Sequence, residues 1–225
     1  MIRTFLKKCL DFFNFRFAIG AIFYLFFTVL AVWVTDTFRF NHEFATLDAG
    51  ILAQAVSLRS DALTVLMKAI TDMGSAPAII TLSGAVLVWF AYKKRPSHFM
   101  VLGTAVIGAA AMIYLMKHTF LRARPLFPLH LVSEDSFSFP SGHAFISLVF
   151  YGLLMYFVIR HEYTLRAKIL TCLASGLFIV LVGFSRLYLG VHWPSDVIGS
   201  WVMGGVWLAV VIWIAHEKFK PHPFP

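Results

Sequence analysis

The sequence has little charge and almost no cysteine for its length. Of its 225 residues, 13% are charged and 60% are hydrophobic. A typical soluble domain carries roughly 25% charged residues, and a water-soluble chain of this size could not bury so much apolar surface. The shortage of charge therefore excludes an ordinary soluble protein and indicates a membrane protein with several spans.

Cysteine pairs, repeats and linkers are also lacking. The two cysteines, Cys9 and Cys172, are too few for a disulfide framework. No internal repeat or low-complexity stretch interrupts the chain, so we expect one domain over residues 1–225. The first apolar run, 17–35, is not followed by a small-x-small cleavage site, and we interpret it as a retained helix rather than a leader.

Apolar segments of spanning length are what the sequence does contain. A membrane helix needs roughly 17–25 apolar residues, and six segments meet that requirement. They are residues 17–35, 76–92, 99–116, 144–159, 169–189 and 197–215. The expected fold is therefore all-α: a polytopic membrane protein with six transmembrane helices.

Basic residues predict the orientation of these spans. The net charge of +8 does not indicate nucleic-acid binding, because the basic residues form short clusters between apolar segments. With six spans, the clusters in the N-terminal tail, at 93–95, at 160–168 and in the C-terminal tail all fall on one side. That side should be cytoplasmic. The opposite, outer side then holds segments 36–75, 117–143 and 186–196.

Segment 41–74 is too polar to span a membrane, but its apolar residues recur at helical spacing. We expect amphipathic helices on the outer face. They either pack against the bundle or cover a site.

The first of three polar clusters covers residues 117–125. Lys117 and Arg124 are two helical turns apart, so they share a face if the third span continues that far. Pro125 disfavours helical backbone at Arg124, where we expect the helix to end. Two such cations can grip a phosphate, although basic residues at helix ends more often reach the membrane interface. Arg122 lies outside this pair, and we interpret it as attracting anionic headgroups.

The second cluster, residues 139–143, precedes the fourth span. Unpaired backbone N–H groups at a helix start favour an anion, and Gly142 permits close approach of the backbone. Ser141 either caps the helix or donates to a phosphate oxygen. His143 faces the same place, with a proton to give near neutral pH.

The third cluster, residues 185–196, joins the fifth and sixth spans. Pro194 suits the first turn of the sixth helix, which lets Asp196 reach back towards His192. A carboxylate bonded to one imidazole nitrogen leaves the other free to attack. The ordinary alternative is a capping aspartate beside an interfacial histidine.

Together the clusters predict a phosphate site. Lys117, Arg124 and Arg186 complement the negative charge of a phosphoryl group and its transition state. One histidine can serve as nucleophile and the other as general acid, and such a site needs no metal or other cofactor. The outer-side carboxylates Glu134 and Asp135 have no spacing typical of a metal cage.

These clusters resemble the signature of the type 2 phosphatidic acid phosphatase (PAP2) superfamily, in order and in spacing. In chain order the matches are Lys117 with Arg124-Pro125, Pro140 to His143, and Ser185-Arg186 with His192 and Asp196. They span residues 117–196 of an expected core at 99–215. Residues 1–75 carry no part of the signature.

The resemblance implies a role for each matched residue. His192 would attack phosphorus to form a phosphohistidine, and Asp196 would orient it. His143 would protonate the departing oxygen and then activate water. The residues implied to hold the phosphate oxygens are Lys117, Arg124, Ser141, Gly142 and Arg186. Because one histidine must start neutral and the other protonated, a bell-shaped pH profile is expected.

The resemblance also implies a lipid substrate: phosphatidate, phosphatidylglycerophosphate or an isoprenyl diphosphate such as undecaprenyl diphosphate. Such a lipid would reach the site from the outer leaflet of the plasma membrane, with both termini in the cytoplasm. Transfer of the phosphate to another acceptor uses the same motifs and stays open, and haloperoxidase activity is a further alternative. A transporter is disfavoured, because the ionisable residues cluster at helix ends rather than at the midplane. The oligomeric state cannot be read from the sequence.

Overall fold

A computed structural model describes residues 42–161 and 164–218 of the chain. The chain divides into two compact units, Met1–Thr46 and Leu47–Pro225, and the account below concerns the second. The first predicted span, 17–35, lies outside the described residues. One domain over the whole chain stays a prediction.

All regular structure in the described residues is helical, as the composition predicts. Seven α-helices are present in that part of the chain. They are α1 (His42–Ser57), α2 (Asp61–Asp72), α3 (Ala76–Tyr92), α4 (Pro96–Phe120), α5 (Gly142–His161), α6 (Leu165–Tyr188) and α7 (Pro194–Lys218). A single 3-10 turn, Phe127–Leu129, lies in the long α4–α5 loop.

Local sequence signals explain several of the helix boundaries. Ser60, Ser75 and Thr164 precede α2, α3 and α6, and each hydroxyl accepts a hydrogen bond from the backbone N–H three residues later. These bonds satisfy donors that have no partner within the helix. Helix α4 begins at Pro96, where the missing N–H costs nothing, and ends before Leu121 in the left-handed conformation.

Helix α5 lies at the centre of the bundle. It packs against α3, α4, α6 and α7, and half of its apolar stretch is buried, against 28% or less for the other candidate spans. Small residues let the backbones approach. A methyl group on Gly152 would lie 2.7 Å from Leu208 Cδ2, and one on Gly204 would lie 3.2 Å from the carbonyl oxygen of Phe145. Close approach at small residues is how membrane helices associate.

Four of the described helices, α4 to α7, are long and apolar enough to cross a membrane. They contain most or all of the last four predicted spans. Helix α3 coincides with the predicted span 76–92 and, at 17 residues, lies at the lower limit of spanning length. It forms a fifth candidate span together with α2, from which it is bent by 48°. The count of six spans therefore stays a prediction.

Segment 41–74 forms helices α1 and α2, as its periodicity predicts. Helix α2 packs against α6, and its buried Met67 joins a small apolar cluster with Tyr188, Leu189 and Val191. This contact agrees with the packing alternative. Placement of these helices on the outer face of a membrane stays a prediction.

Candidate active site

Lys117 and Arg124 converge on one stretch of the α4–α5 loop. Lys117 Nζ donates to Ser136 Oγ at 2.8 Å and to the carbonyl oxygen of Phe137 at 2.7 Å. Arg124 Nε donates to the carbonyl oxygen of Ser136 at 2.6 Å. The two cations therefore bind the same two residues, Ser136 and Phe137, and lie close to each other.

The reason for this convergence differs from the prediction. Helix α4 ends at Phe120, and Leu121 is left-handed at φ 48°, so Arg124 is not on the helix and the two cations do not share a helical face. The non-helical segment after the helix carries Arg124 instead. Trp193 Nε1 holds this segment by donating to the carbonyl oxygen of Ala123 at 3.0 Å.

Glu134 bridges two of the predicted phosphate-binding cations. Arg124 Nη2 lies 3.1 Å from Glu134 Oε2, and Arg186 Nη2 donates to Glu134 Oε1. Burial alone would raise the pKa of Glu134, but Arg186 and Arg124 outweigh burial and hold that pKa below its usual value. Glu134 is therefore an ionised part of the site, although the sequence analysis considered it only as a metal ligand.

Arg186 is almost completely buried, with 1% of its surface exposed. Its Nη1 donates to Thr71 Oγ1 at 2.7 Å, so the last turn of α2 helps to hold it. Its Nε has no hydrogen-bond partner among the described residues. A buried guanidinium with an unused N–H can donate a hydrogen bond to a bound anion without losing any existing bond.

The start of α5 presents a second set of donors. Ser141 precedes the helix and is fully buried, and its Oγ has no hydrogen-bond partner in the described part of the chain. Its hydroxyl therefore makes no capping contact there, and its role as a donor to a phosphate oxygen stays a prediction. Ser141 N donates to Ser200 Oγ at 2.8 Å, which ties this helix start to α7. A methyl group on Gly142 would make an ordinary van der Waals contact with Ile113 Cγ2 at 3.7 Å, so no close neighbour crowds this position.

His192 lies in the short turn between α6 and α7. The turn depends on Gly190, whose φ of +76° favours glycine and whose added methyl group would lie 2.1 Å from the carbonyl oxygen of Leu129. The His192 side chain is 1% exposed, its Nε2 lies 3.2 Å from Arg124 Nη1, and its Nδ1 lies 3.4 Å from Asp196 Oδ2. An arginine can only donate, so Nε2 accepts and the ring proton resides on Nδ1, facing Asp196.

Burial sets the charge of this imidazole. It lowers the pKa of His192 to about 4, and the neighbouring Asp196 only partly opposes that effect. His192 is therefore neutral near pH 7, with a lone pair on Nε2, as a nucleophile requires.

Asp196 is held by donors on both carboxylate oxygens. Its Oδ1 accepts from Arg122 Nη1 at 2.5 Å, and its Oδ2 accepts from Ser138 Oγ at 2.5 Å and from the backbone N–H of Trp193 at 2.9 Å. Since Trp193 immediately precedes α7, Asp196 caps the helix and faces the histidine at the same time. The capping contact is thus present beside a buried rather than an interfacial histidine, and the orienting role of Asp196 stays a prediction.

His143 lies in the first turn of α5 and is partly exposed. It is close enough to Arg186, His192, Lys117 and Arg124 to interact with their charges. The structure thus brings all eight predicted site residues into one region at the ends of α4, α5, α6 and α7.

Four residues of this region escaped the sequence analysis as site residues. They are Asp48, Thr71, Arg122 and Glu134. Arg122 was predicted to attract anionic headgroups. In the structure its guanidinium forms an ion pair with Asp196 instead. Its position between the two matched cations was a usable signal, whereas Asp48 and Thr71 carry none in the sequence. Within residues 42–161 and 164–218, no three His, Cys, Asp or Glu side chains group closely enough to hold a metal ion.

In the part of the chain that the structure describes, the fold is that of a helical membrane protein, and three cations, two histidines and a helix start lie in one region. The sequence profile of the PAP2 superfamily matches residues 98–220. The chain belongs to the PAP2 superfamily, as its motifs indicate.

Two curated relatives are similar to the chain. It is 33% identical over 186 residues to phosphatidylglycerophosphatase B of Bacillus subtilis, an alignment that covers 80% of this chain and 87% of the relative. It is 28% identical over 123 residues to undecaprenyl-diphosphatase of Sulfolobus acidocaldarius, covering 52% of this chain and 55% of the relative.

A solved structure supports the fold. The crystal structure of a transmembrane PAP2-type phosphatidylglycerolphosphate phosphatase from Bacillus subtilis matches 89% of this chain and 96% of its own length. Its TM-score is 0.70 at 32% sequence identity.

Proposed function

We propose that this protein is a membrane lipid phosphatase that works through a phosphohistidine on His192. The observation that carries the proposal is the neutral, buried imidazole of His192, with Nε2 against Arg124 and Nδ1 facing Asp196. Membership of the PAP2 superfamily and the names of its relatives support a phosphorylated lipid as substrate.

The first step transfers the phosphoryl group to the protein. Arg124 turns its N–H from His192 to a phosphate oxygen, which frees the Nε2 lone pair to attack phosphorus. The bond from phosphorus to the leaving oxygen breaks, and His143 gives that oxygen a proton. Asp196 stabilises the positive charge that develops on the His192 ring.

The second step releases inorganic phosphate. His143, now neutral, takes a proton from a water molecule, and the water oxygen attacks phosphorus as the bond to His192 Nε2 breaks. In both steps Lys117, Arg124 and Arg186, with Ser141 and the backbone at Gly142, hold the phosphate oxygens. No step uses a metal ion.

The candidate substrates are phosphatidylglycerophosphate, phosphatidate and undecaprenyl diphosphate. For a diphosphate the leaving group is the lipid monophosphate, and the same protein groups serve. The basic clusters support a site on the outer side of the plasma membrane, with both termini in the cytoplasm.

A substrate panel in detergent micelles tests the function. The purified protein, in excess chelator, should release phosphate from at least one of the three lipids, and the label should enter water rather than an alcohol acceptor. Failure to release phosphate from any phosphorylated lipid would contradict the proposal. Loss of activity on chelation, restored by one added metal ion, would contradict metal independence. Label in the acceptor would instead identify a phosphotransferase.

The pH dependence follows from the burial of His192. The nucleophile must be neutral, and a pKa lowered to about 4 keeps it neutral down to that pH. The acid limb of kcat/KM should therefore fall well below pH 6.5, the ordinary pKa of a histidine, while the basic limb reports loss of the proton from the general acid. Initial rates from pH 3.5 to 9.5 measure both limbs. An acid limb at or above pH 6.5 would show that the ring is not buried as described.

A further inference from the structure

We infer that Arg122 and Asp48 form a positioning pair that fixes the carboxylate of Asp196 against His192. The inference rests on the proposed function, since it assigns the pair to the nucleophile of that reaction. Neither residue belongs to the motifs that match the superfamily. Arg122 lies in the loop after α4 and Asp48 lies in α1, 74 residues apart in the chain.

The guanidinium of Arg122 connects two buried carboxylates. Its Nη1 lies 2.5 Å from Asp196 Oδ1, and its Nη2 lies 2.8 Å from Asp48 Oδ2. The exposed fractions are 19% for the Arg122 side chain, 5% for Asp48 and 0% for Asp196. Because water has little access to these two carboxylates, each of them needs a donor such as Arg122 held at hydrogen-bond distance.

Asp48 in turn fixes the start of α7. Its Oδ1 accepts from the backbone N–H of Ser195 at 2.9 Å, and its Oδ2 accepts from Ser195 Oγ. Arg122 Nη1 also donates to Ser195 Oγ at 2.8 Å. Asp48 therefore holds both the arginine and the first turn of the helix that carries Asp196.

This arrangement determines which oxygen of Asp196 faces the histidine. Among the described residues, Arg122 supplies the side-chain contact of Oδ1, whereas Oδ2 accepts from Ser138 and Trp193 and lies 3.4 Å from His192 Nδ1. If Arg122 is lost, the carboxylate can rotate away from the ring. The His192 proton is then no longer held on Nδ1, and Nε2 is less available for attack. Asp48 also offsets part of the positive charge of Arg122. The negative charge of Asp196 therefore stays available to stabilise the positive charge that develops on the His192 ring.

The test measures kcat and KM separately for four variants. Arg122→Gln should lower kcat by about 10- to 100-fold with KM changed by less than about threefold, because misplacement of a catalytic group can cost that much. Asp48→Asn should lower kcat in the same way but less, and Arg122→Lys should recover part of the loss. The double variant should lose less than the product of the two single effects, as expected for residues in one network.

Matched controls separate positioning from charge and folding. Arg166→Gln and Asp61→Asn remove one exposed charge each at helix starts away from the site, and both should keep wild-type kcat. Detergent size-exclusion profiles and melting curves report folding. If Arg122→Gln does not fold, Arg122→Lys and Asp48→Asn carry the comparison. Equal kcat in Arg122→Gln and Arg166→Gln would overturn the inference, as would independent effects of the two single changes.

A spectroscopic measurement tests the inference even if no lipid is turned over. With nitrogen-15 histidine, the His192 ring signal, assigned by its absence from His192→Ala, should show the proton on Nδ1 in the wild-type protein. Arg122→Gln should shift protonation towards Nε2, and Arg166→Gln should not. An unchanged His192 signal in Arg122→Gln would overturn the positioning role, whereas a wild-type protein that hydrolyses no lipid would contradict only the proposed function.

Discussion

Replacing His192 with alanine should reduce phosphate release by about 10⁴-fold or more, to the level of the background. Loss of the nucleophile in a serine protease has a cost on the order of 10⁶-fold in kcat, and here no neighbouring side chain can replace the imidazole. The other histidine of the site, His143, lies at the start of a different helix and has a separate role. The measurement is initial-rate phosphate release from the best lipid of the panel, in chelator, at matched protein concentration.

The matched control is His118→Ala. His118 lies near the same end of α4 as Lys117, but it is exposed and its Nδ1 bonds the carbonyl oxygen of Tyr114. This variant should keep wild-type activity. A second measurement supports the assignment: brief incubation with phosphorus-32 lipid and an acid-free quench should label wild-type protein on histidine and leave His192→Ala unlabelled. Substantial turnover by His192→Ala would exclude His192 as the nucleophile.

The long helices could be predicted because a helix that crosses a membrane needs apolar side chains along its whole length, whether they face lipid or neighbouring helices. A run of apolar residues such as 99–116 then has only one ready interpretation. The predicted helix ends were less accurate where the end of a helix depends on something other than hydrophobicity. Helix α4 ends at Phe120 because Leu121 is left-handed there, and nothing in the residues 121–124 announces that turn. Helix α3 has the shortest apolar stretch of the predicted spans that the structure describes apart from 144–159, and a bend of 48° separates it from α2.

The motif residues could be recognised because their order and spacing match a known signature, and the structure brings them together at the ends of α4, α5, α6 and α7. Their partners could not. Thr71 contacts Arg186 across 115 residues and Asp48 contacts Ser195 across 147, and no periodicity relates such distant positions. Glu134 was visible as a carboxylate between the first and second clusters, but its contact with two arginines depends on the path of the α4–α5 loop. Sequence patterns therefore predict which groups carry the chemistry, and the tertiary structure determines what holds them.

The charged side chains of the site are organised as two linked groups. In one, Glu134 lies between Arg124 and Arg186; in the other, Arg122 lies between two aspartates. Arg124 and His192 join the two groups. Arg124 Nη1 lies 3.2 Å from His192 Nε2, and Nδ1 of the same ring faces Asp196 of the second group. Any change at Arg124 should therefore affect both phosphate binding and the nucleophile.

Arg124→Ala should accordingly lower kcat/KM by about 100- to 1,000-fold, the range found when one donor to a developing charge is removed. Arg124→Lys keeps the positive charge but loses the planar fork that reaches Ser136, Glu134 and Val191 at once, so it should recover only part of the loss. The measurement is kcat/KM for each variant, together with the inhibition constant of inorganic phosphate. Phosphate should inhibit both variants less strongly than the wild type.

The control for Arg124 is again an arginine outside the site. Arg166→Ala removes an exposed charge at the start of α6, and it should leave both kcat/KM and phosphate inhibition unchanged. Because Arg124 donates to the carbonyl oxygen of Val191 beside the nucleophile, Arg124→Ala should also lower kcat and not KM alone. If Arg124→Lys were as active as the wild type, a point charge would be sufficient and the fork geometry would have no part in catalysis. If Arg124→Ala raised only KM, the contact between Arg124 and His192 would not influence the nucleophile.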